Sequence, residues 1–344
     1  MGKKRGKKKT ATYRSRVAEE LSKVRLGRYP FVAGIKYYEE KKSIRLTKTT
    51  IKEWCRKLRY YARIMEGFKA AGKIDTTDPR HMGPEAIEEF YKWMKRDNPL
   101  SNSTQGSYVR ILKNYLEFWG NDVITIMEKD DEIIIPSSAG DSEINALSID
   151  EVRDIFAAAD TIEGYTGIMV RLLLALGVGT GCRPKEMFDA EVSDINIEAE
   201  TFFIRHPKGE GTWGRREKVN IIRKDMLIRI DRELKARADA LKAIDTKSKY
   251  LFINPASGRP YAGNSFRLWK DRVAELAGVE FRIKDMRSTL LTLLVGEDLS
   301  RLGAASKQIR HRNIKTTEDF YLKINKRKVV KSALGDRWKE DIIE

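Results

Sequence analysis

Ten residues near the middle of the chain, Pro136-Ser-Ser-Ala-Gly-Asp-Ser-Glu-Ile-Asn145, are rich in turn formers and carry no hydrophobic period, whereas the sequence on either side is periodic. A chain interrupted in this way folds as two bodies joined by a linker over 136–145. Before the break the period is helical. From Thr50, the residues Ile51, Trp54, Cys55, Leu58, Tyr61, Ala62, Met65 and Phe68 recur at three and four, and Thr50 with Glu53 has capping-box spacing. Pro84 opens a second helix presenting Ile87, Phe90, Tyr91 and Met94. A third follows Ser103, with Tyr108, Ile111, Leu112, Tyr115, Leu116 and Trp119 on one face, and ends near Gly120. Together these predict a small helical bundle over 46–135.

After the break, Ser148-Ile-Asp-Glu151 starts a helix by the same capping logic, and a buried helix runs through Ile168 to Leu176 and ends in Gly177-Val-Gly179-Thr-Gly181. Thr201-Phe-Phe-Ile-Arg205 and Glu217-Lys-Val-Asn-Ile221 read as two strands joined by a loop containing Lys208-Gly-Glu-Gly211, a longer hairpin than a two-residue turn. Helices dominate afterwards, apart from the short apolar run Tyr250-Leu-Phe-Ile253. The fold class predicted is mainly α: a helical domain, then an α+β domain over 146–344 with a small antiparallel sheet. A chain of 344 residues is long enough to give each its own core.

The formal net charge of +17 points to a polyanionic partner, since Lys and Arg that neutralise phosphates release condensed counterions. The charge is concentrated at one end. The first fifty residues hold sixteen Lys and Arg against four acids, which marks 1–45 as a basic N-terminal arm. Its opening run Lys3-Lys4-Arg5-Gly6-Lys7-Lys8-Lys9 reads equally as a solvated tail and as an arm on DNA phosphates. It has no apolar stretch behind it, so it is no secretory signal, and no window is long and apolar enough to span a bilayer; a soluble cytoplasmic protein without a membrane partner is expected. Cys55 and Cys182 fall in different domains, which favours reduced thiols, and three histidines without Cys/His ligand spacing argue against structural zinc.

The chemistry is concentrated in the second half. Arg183 lies in Thr180-Gly181-Cys182-Arg183-Pro184-Lys185-Glu186, Lys208 in the hairpin loop, Lys284 and Arg287 in Lys284-Asp-Met-Arg287, and His311 stands ten positions before Tyr321 in His311-Arg-Asn-Ile-Lys-Thr-Thr-Glu-Asp-Phe-Tyr321. Taken singly, each is most simply a solvated cation, an ion-pair partner, a structural histidine or a half-buried aromatic. Their order resembles the tyrosine recombinase (phage integrase) family, with its Thr-Gly-x-Arg-x-x-Glu element, hairpin lysine, His-x-x-Arg pair, Leu-Gly-His and closing Thr-Thr-x-x-x-Tyr. The resemblance covers about residues 145 to 325, starting at Ala146-Leu-Ser-Ile-Asp-Glu151, and the bundle over 46–135 sits where that family places its core-binding domain. Two elements depart from the pattern: Lys284-Asp-Met-Arg287-Ser288 stands for His-x-x-Arg-His, and Arg310-His311 for Gly-His. A Lys at the first of these resembles archaeal virus-type integrases and also type IB topoisomerases.

The resemblance implies a site-specific recombinase of a mobile element that needs no metal or other cofactor. Tyr321 would attack a phosphate of double-stranded DNA to give a 3′-phosphotyrosyl link, under a clamp of Arg183 and Arg287. Lys208 would act as general acid toward the leaving 5′-oxygen, with Lys284 and His311 on the non-bridging oxygens or the tyrosine proton. Glu186 would orient a cation or form an ordinary salt bridge. The segment after Tyr321, with Val329, Val330, Ala333 and Leu334 among cations, reads as a helix packed in cis or as a tail docked on a neighbour in a DNA-bound homotetramer. A type IB topoisomerase and a non-catalytic DNA-binding protein are the rival readings. Only two glutamines amid abundant Lys, Arg and Glu point to a thermophilic, archaeal source.

Overall fold

The computed structural model describes residues 20–97, 100–136, 146–211, 213–296 and 298–319. The chain divides into two compact units, Met1–Glu143 and Ile144–Glu344. Of the expected linker only Pro136 is among the described residues, and the opening basic run lies outside them.

Among its described residues the first unit contains helices and no strand. Helices α1 (Pro30–Lys42), α2 (Lys48–Ala70), α3 (Pro84–Lys92), α4 (Asn102–Phe118) and α5 (Val123–Lys129) surround one core, with a π-helical turn over Trp93–Asp97 continuing α3. The helix expected from Thr50 begins at Lys48, because Thr47 is the cap: its hydroxyl accepts from the Thr50 N–H at 3.3 Å. α4 likewise starts one residue after Ser101, whose Oγ accepts from the Thr104 N–H.

Part of the stretch read as a basic arm is folded. α1 buries Phe31, Ile35 and Tyr38, and Tyr115 donates a 2.6 Å hydrogen bond from its hydroxyl to the Phe31 carbonyl. Its one glycine toward the core is a packing requirement, since a Cβ on Gly34 would sit 2.4 Å from the Tyr115 hydroxyl. The cationic residues of α1 stay on the outside while its apolar stripe joins Cys55, Leu58, Tyr61, Met65, Phe90 and Leu112 in the core.

The second unit is built on α7 (Gly164–Thr180), whose residues from Met169 to Thr180 are buried almost without exception. A helix apolar on all sides must be covered on all sides. Around it pack α6 (Ile149–Asp160), α9 (Lys224–Ala243), α10 (Gly263–Ala277) and α11 (Asp285–Val295), contributing Ile155, Ile230, Val273 and Met286 to the same core. The capping box at α6 is present: Ser148 Oγ accepts from Glu151 N–H and the Glu151 carboxylate accepts from Ser148 N–H. One residue earlier, the Leu147 N–H donates to Thr289 Oγ1 at 2.9 Å, tying the start of the unit to α11.

The sheet has three antiparallel strands in the order β1 (Ile195–Asn196), β2 (Thr201–Ile204), β3 (Glu217–Asn220). Phe202 pairs with Val219 and Ile204 with Glu217, so Phe202, Ile204 and Val219 face the core and the residues between them face out. β2 and β3 lie within the predicted segments. β1, a two-residue edge too short to show a period, adds to them. Leu251, Phe252 and Ile253 are buried, and isolated bridges flank them, Glu191 pairing with Tyr250 and Ile253 with Pro260. Cys55 and Cys182 are free, buried thiols, one in each unit. Among the described residues no helix is long and apolar enough to cross a membrane.

Candidate phosphate-binding site

α7 ends because Gly181 takes the left-handed conformation at φ 67°, where a side chain would be strained and where a Cβ would lie 2.9 Å from Leu290 Cδ2. The chain leaves that turn through Cys182 into Arg183, the N-cap residue of the short helix α8 (Pro184–Phe188). Arg183 and Glu186 are thereby fixed on either side of one turn. The Glu186 carboxylate accepts from the Arg183 backbone N–H at 2.8 Å and from the Arg183 guanidinium at 3.0 Å.

Glu186 does more than pair with Arg183. Its other contacts are an ion pair with Arg310 and a 3.5 Å approach from the Lys208 backbone N–H. The carboxylate is 1% exposed and the Arg310 side chain 8%. Burial pushes the Glu186 carboxyl up, yet Arg310, the Arg183 N–H and the Arg183 guanidinium together hold it below the ordinary value. One buried anion therefore gathers three of the segments singled out in the sequence.

Arg287 comes from the first turn of α11 and spans to the same place. Its guanidinium donates to the Gly181 carbonyl at 2.6 Å and to the Ile309 carbonyl. Burial, and then the nearby Arg183, push its pKa down to about 9, with Glu186 opposing them. Helix α12 (Leu302–Gln308) delivers the remaining groups. Gln308 Nε2 donates to the Thr180 carbonyl and, at 2.8 Å, to the Asn220 carbonyl, so α12 is bonded to the ends of both α7 and β3. The chain then turns at Arg310, a left-handed residue at φ 57°, and presents His311.

His311 Nδ1 lies 2.8 Å from Thr317 Oγ1, and Thr317 Oγ1 donates to Ser306 Oγ at 2.9 Å. Because the Thr317 hydrogen is committed to Ser306, the hydrogen between His311 and Thr317 belongs to the imidazole, and Nε2 carries the lone pair. Burial, followed by the charges of Arg287 and Arg183, lowers the His311 pKa to about 4, so the ring is neutral at pH 7. Thr317 sits in a helical run over 314–319.

The structure thus brings Arg183, Arg287 and His311 together around Gly181, Ile309 and Glu186. Lys208 joins them through its backbone, with its side chain exposed in the β2–β3 loop, and Lys284, also exposed, is the N-cap residue of α11, three residues before Arg287. Tyr321 lies outside the described residues. Arg310, read in the sequence only as a departure from Gly, is a member of the cluster, and so are Ser306, Gln308 and Thr317; adjacency to His311 was the only sequence signal for Arg310. One guanidinium held by neutral carbonyls, Arg287, beside two that share a single carboxylate, Arg183 and Arg310 on Glu186, leaves an excess of positive charge suited to a tetrahedral dianion or a phosphodiester.

Comparison with known proteins bears on the family and the fold. The family model described as the phage integrase family matches residues 145–328. The tyrosine recombinase XerA of Pyrococcus horikoshii is 26% identical over 238 residues, 66% of this chain and 74% of its own. Among solved structures, the XerH site-specific recombinase bound to difH substrate in a pre-cleavage complex superposes with a TM-score of 0.59 at 18% identity, covering 90% of this chain and 85% of that one. A lambda integrase tetramer bound to a Holliday junction gives 0.55 at 16% identity, covering 84% and 76%.

Proposed function

This chain belongs to the phage integrase family, and we propose that it is a tyrosine-type site-specific recombinase that cuts and rejoins double-stranded DNA. The observation that carries the reading is the buried Glu186, which organises Arg183, Arg310 and the Lys208 backbone beside Arg287 and His311. Such an arrangement has little use in a protein that only binds DNA, where phosphate contacts are made by solvated cations at the surface.

In the proposed reaction the Tyr321 phenol oxygen attacks the scissile phosphorus, the phosphorus–O5′ bond breaks, and the phosphate becomes linked through its 3′ side to the tyrosine. A free phenol with a pKa near 10 is a poor nucleophile at neutral pH. His311, neutral and with its lone pair on Nε2, takes the phenol proton. Arg183 and Arg287 hold the non-bridging oxygens as negative charge develops, each such fixed donor contributing about 3–4 kcal/mol to the transition state. Lys284, at the start of α11, donates to a non-bridging oxygen, and Lys208 gives its proton to the departing 5′-oxygen. The phosphotyrosyl link conserves the bond energy, so a second 5′-hydroxyl reverses the step on a new partner strand.

Exchange between two duplexes requires four cleavages, so four copies of this chain assemble on DNA. The bundle over 46–135 and the domain over 146–344 divide the work, the first gripping the duplex and the second reacting with it. The charge of residues 1–45 adds phosphate contacts. The test is to incubate wild type and Tyr321→Phe with supercoiled plasmid carrying candidate attachment DNA, and to resolve covalent adducts after denaturation in SDS. An adduct lost in Tyr321→Phe is the expected result. DNA binding without an adduct for wild type, across many DNAs, refutes the catalytic reading, and relaxed plasmid without strand exchange would instead identify a topoisomerase.

A further inference from the structure

The loop between β2 and β3 contains an exposed tryptophan that its own packing does not explain. Trp213 is 43% exposed, and its indole lies against the backbone of Gly209, the residue after Lys208: a Cβ built on Gly209 would meet Trp213 Cε2 at 2.4 Å and Cδ2 at 2.7 Å. Gly209 is left-handed at φ 83°. Its carbonyl accepts from the Trp213 N–H at 3.1 Å and the Gly214 N–H at 2.8 Å, and Glu210 forms a bridge with Gly214. Gly214 closes against Lys208 itself, where a Cβ would lie 2.3 Å from the Lys208 carbonyl oxygen. The Lys208 N–H points to Glu186. The Lys208 N–H is therefore directed to Glu186 and its carbonyl is closely covered by Gly214, while its side chain is exposed.

An indole left nearly half in solvent adds little core burial, and an ordinary long hairpin loop needs no such lid. We propose that Trp213 is a positioning residue for Lys208: by covering Gly209 it fixes the peptide that follows the lysine, and so the direction in which the ammonium leaves the loop. The glycine at 209 gives the indole room to sit on bare backbone, and Gly214 lets the returning strand close on the lysine carbonyl. A rotamer-rich lysine on an unbraced loop would sample many orientations, whereas one on a fixed peptide needs only its own torsions set.

The inference rests on Lys208 being the general acid, and the experiment separates the two. Single-turnover adduct formation is measured on DNA with the natural oxygen at the scissile 5′ position and on DNA with sulfur there, for wild type, Lys208→Ala, Trp213→Ala and Trp213→Phe. With oxygen the phosphorus–O5′ bond breaks and the oxygen takes the Lys208 proton. With sulfur the phosphorus–S bond breaks and a thiolate departs unprotonated, so the acid is dispensable.

Trp213→Ala is expected to slow the oxygen substrate by roughly ten- to a hundredfold, as misplacement of a reacting group by about 1 Å does, and to run near wild type on sulfur; Trp213→Phe, which keeps a ring over the glycine, recovers most of the oxygen rate. Equal slowing on both substrates, or none on either, overturns the role of Trp213. Should Lys208→Ala be equally slow on both, the acid assignment fails and this inference with it. If Lys208→Ala is rescued by sulfur and Trp213→Ala is not, the inference about Trp213 alone is wrong.

Discussion

At the scale of single residues, Glu186 decides the stability of the site. A buried carboxylate held by two guanidinium groups is expensive to half-remove, and Glu186→Gln is expected to lower the unfolding free energy by about 3–5 kcal/mol, read from urea melts. Arg310→Gly tests the same pair from the other side. It removes about 1 kcal/mol of left-handed strain but leaves the carboxylate with Arg183 alone, so net destabilisation is expected, smaller than for Glu186→Gln. The opposite sign would mean that the strain at Arg310 outweighs its ion pair. His311 supplies the pH dependence. Its folded pKa of about 4 lies below the ordinary 6.5, so between those values the unfolded chain takes up a proton that the folded protein does not. Stability is therefore expected to fall as pH drops from about 6.5 to about 4 and to lose this contribution's slope below that, a feature that urea midpoints for His311→Gln should lack.

At the scale of elements, the turn ending α7 governs where Arg183 and Arg287 meet, because one residue, Gly181, both breaks the helix and supplies the carbonyl that Arg287 binds. Gly181→Ala is expected to cost about 1–2 kcal/mol from the positive φ, more if Leu290 cannot yield, and to depress adduct formation beyond its effect on melting temperature. Adduct formation that tracks stability alone would show the turn to be a scaffold only. The same elements show what a sequence discloses. Helices α2, α3 and α4 were legible because their apolar residues repeat at a helical period, α7 because a long apolar run ends in glycines, and the strands β2 and β3 because two short apolar segments flank a glycine-containing loop. α1 was not, although Phe31, Ile35 and Tyr38 hold helical spacing, because cations crowd around them and charge dominated the reading. In the site, the order of Arg183, Lys208, Lys284, Arg287 and His311 could be read along the chain. The parts played by Arg310, Ser306 and Gln308 could not, since each depends on a partner that folding alone brings near: Glu186 for Arg310, Thr317 for Ser306, and the ends of α7 and β3 for Gln308.

At the scale of the whole molecule, the two larger apolar cores among the described residues support two stretches of chain, one closed around Tyr61 and Tyr115, the other around α7. Each core encloses one thiol. Burial pushes Cys55 up to about 11 and Cys182 up to about 12, so neither is a thiolate at neutral pH while its unit stays folded. Together they are a pair of built-in clocks. Alkylation of the native protein by iodoacetamide, followed site by site in a mass spectrometer, times the opening of each core without any added label. We expect both thiols to react far more slowly than in urea, and Cys182, lying directly before Arg183, to slow further when DNA is present. Equal rates in the native and denatured protein would mean that these interiors are not closed. The protein thus reports on its own breathing, one half at a time, and a ligand that grips only one half will stop only one of the clocks.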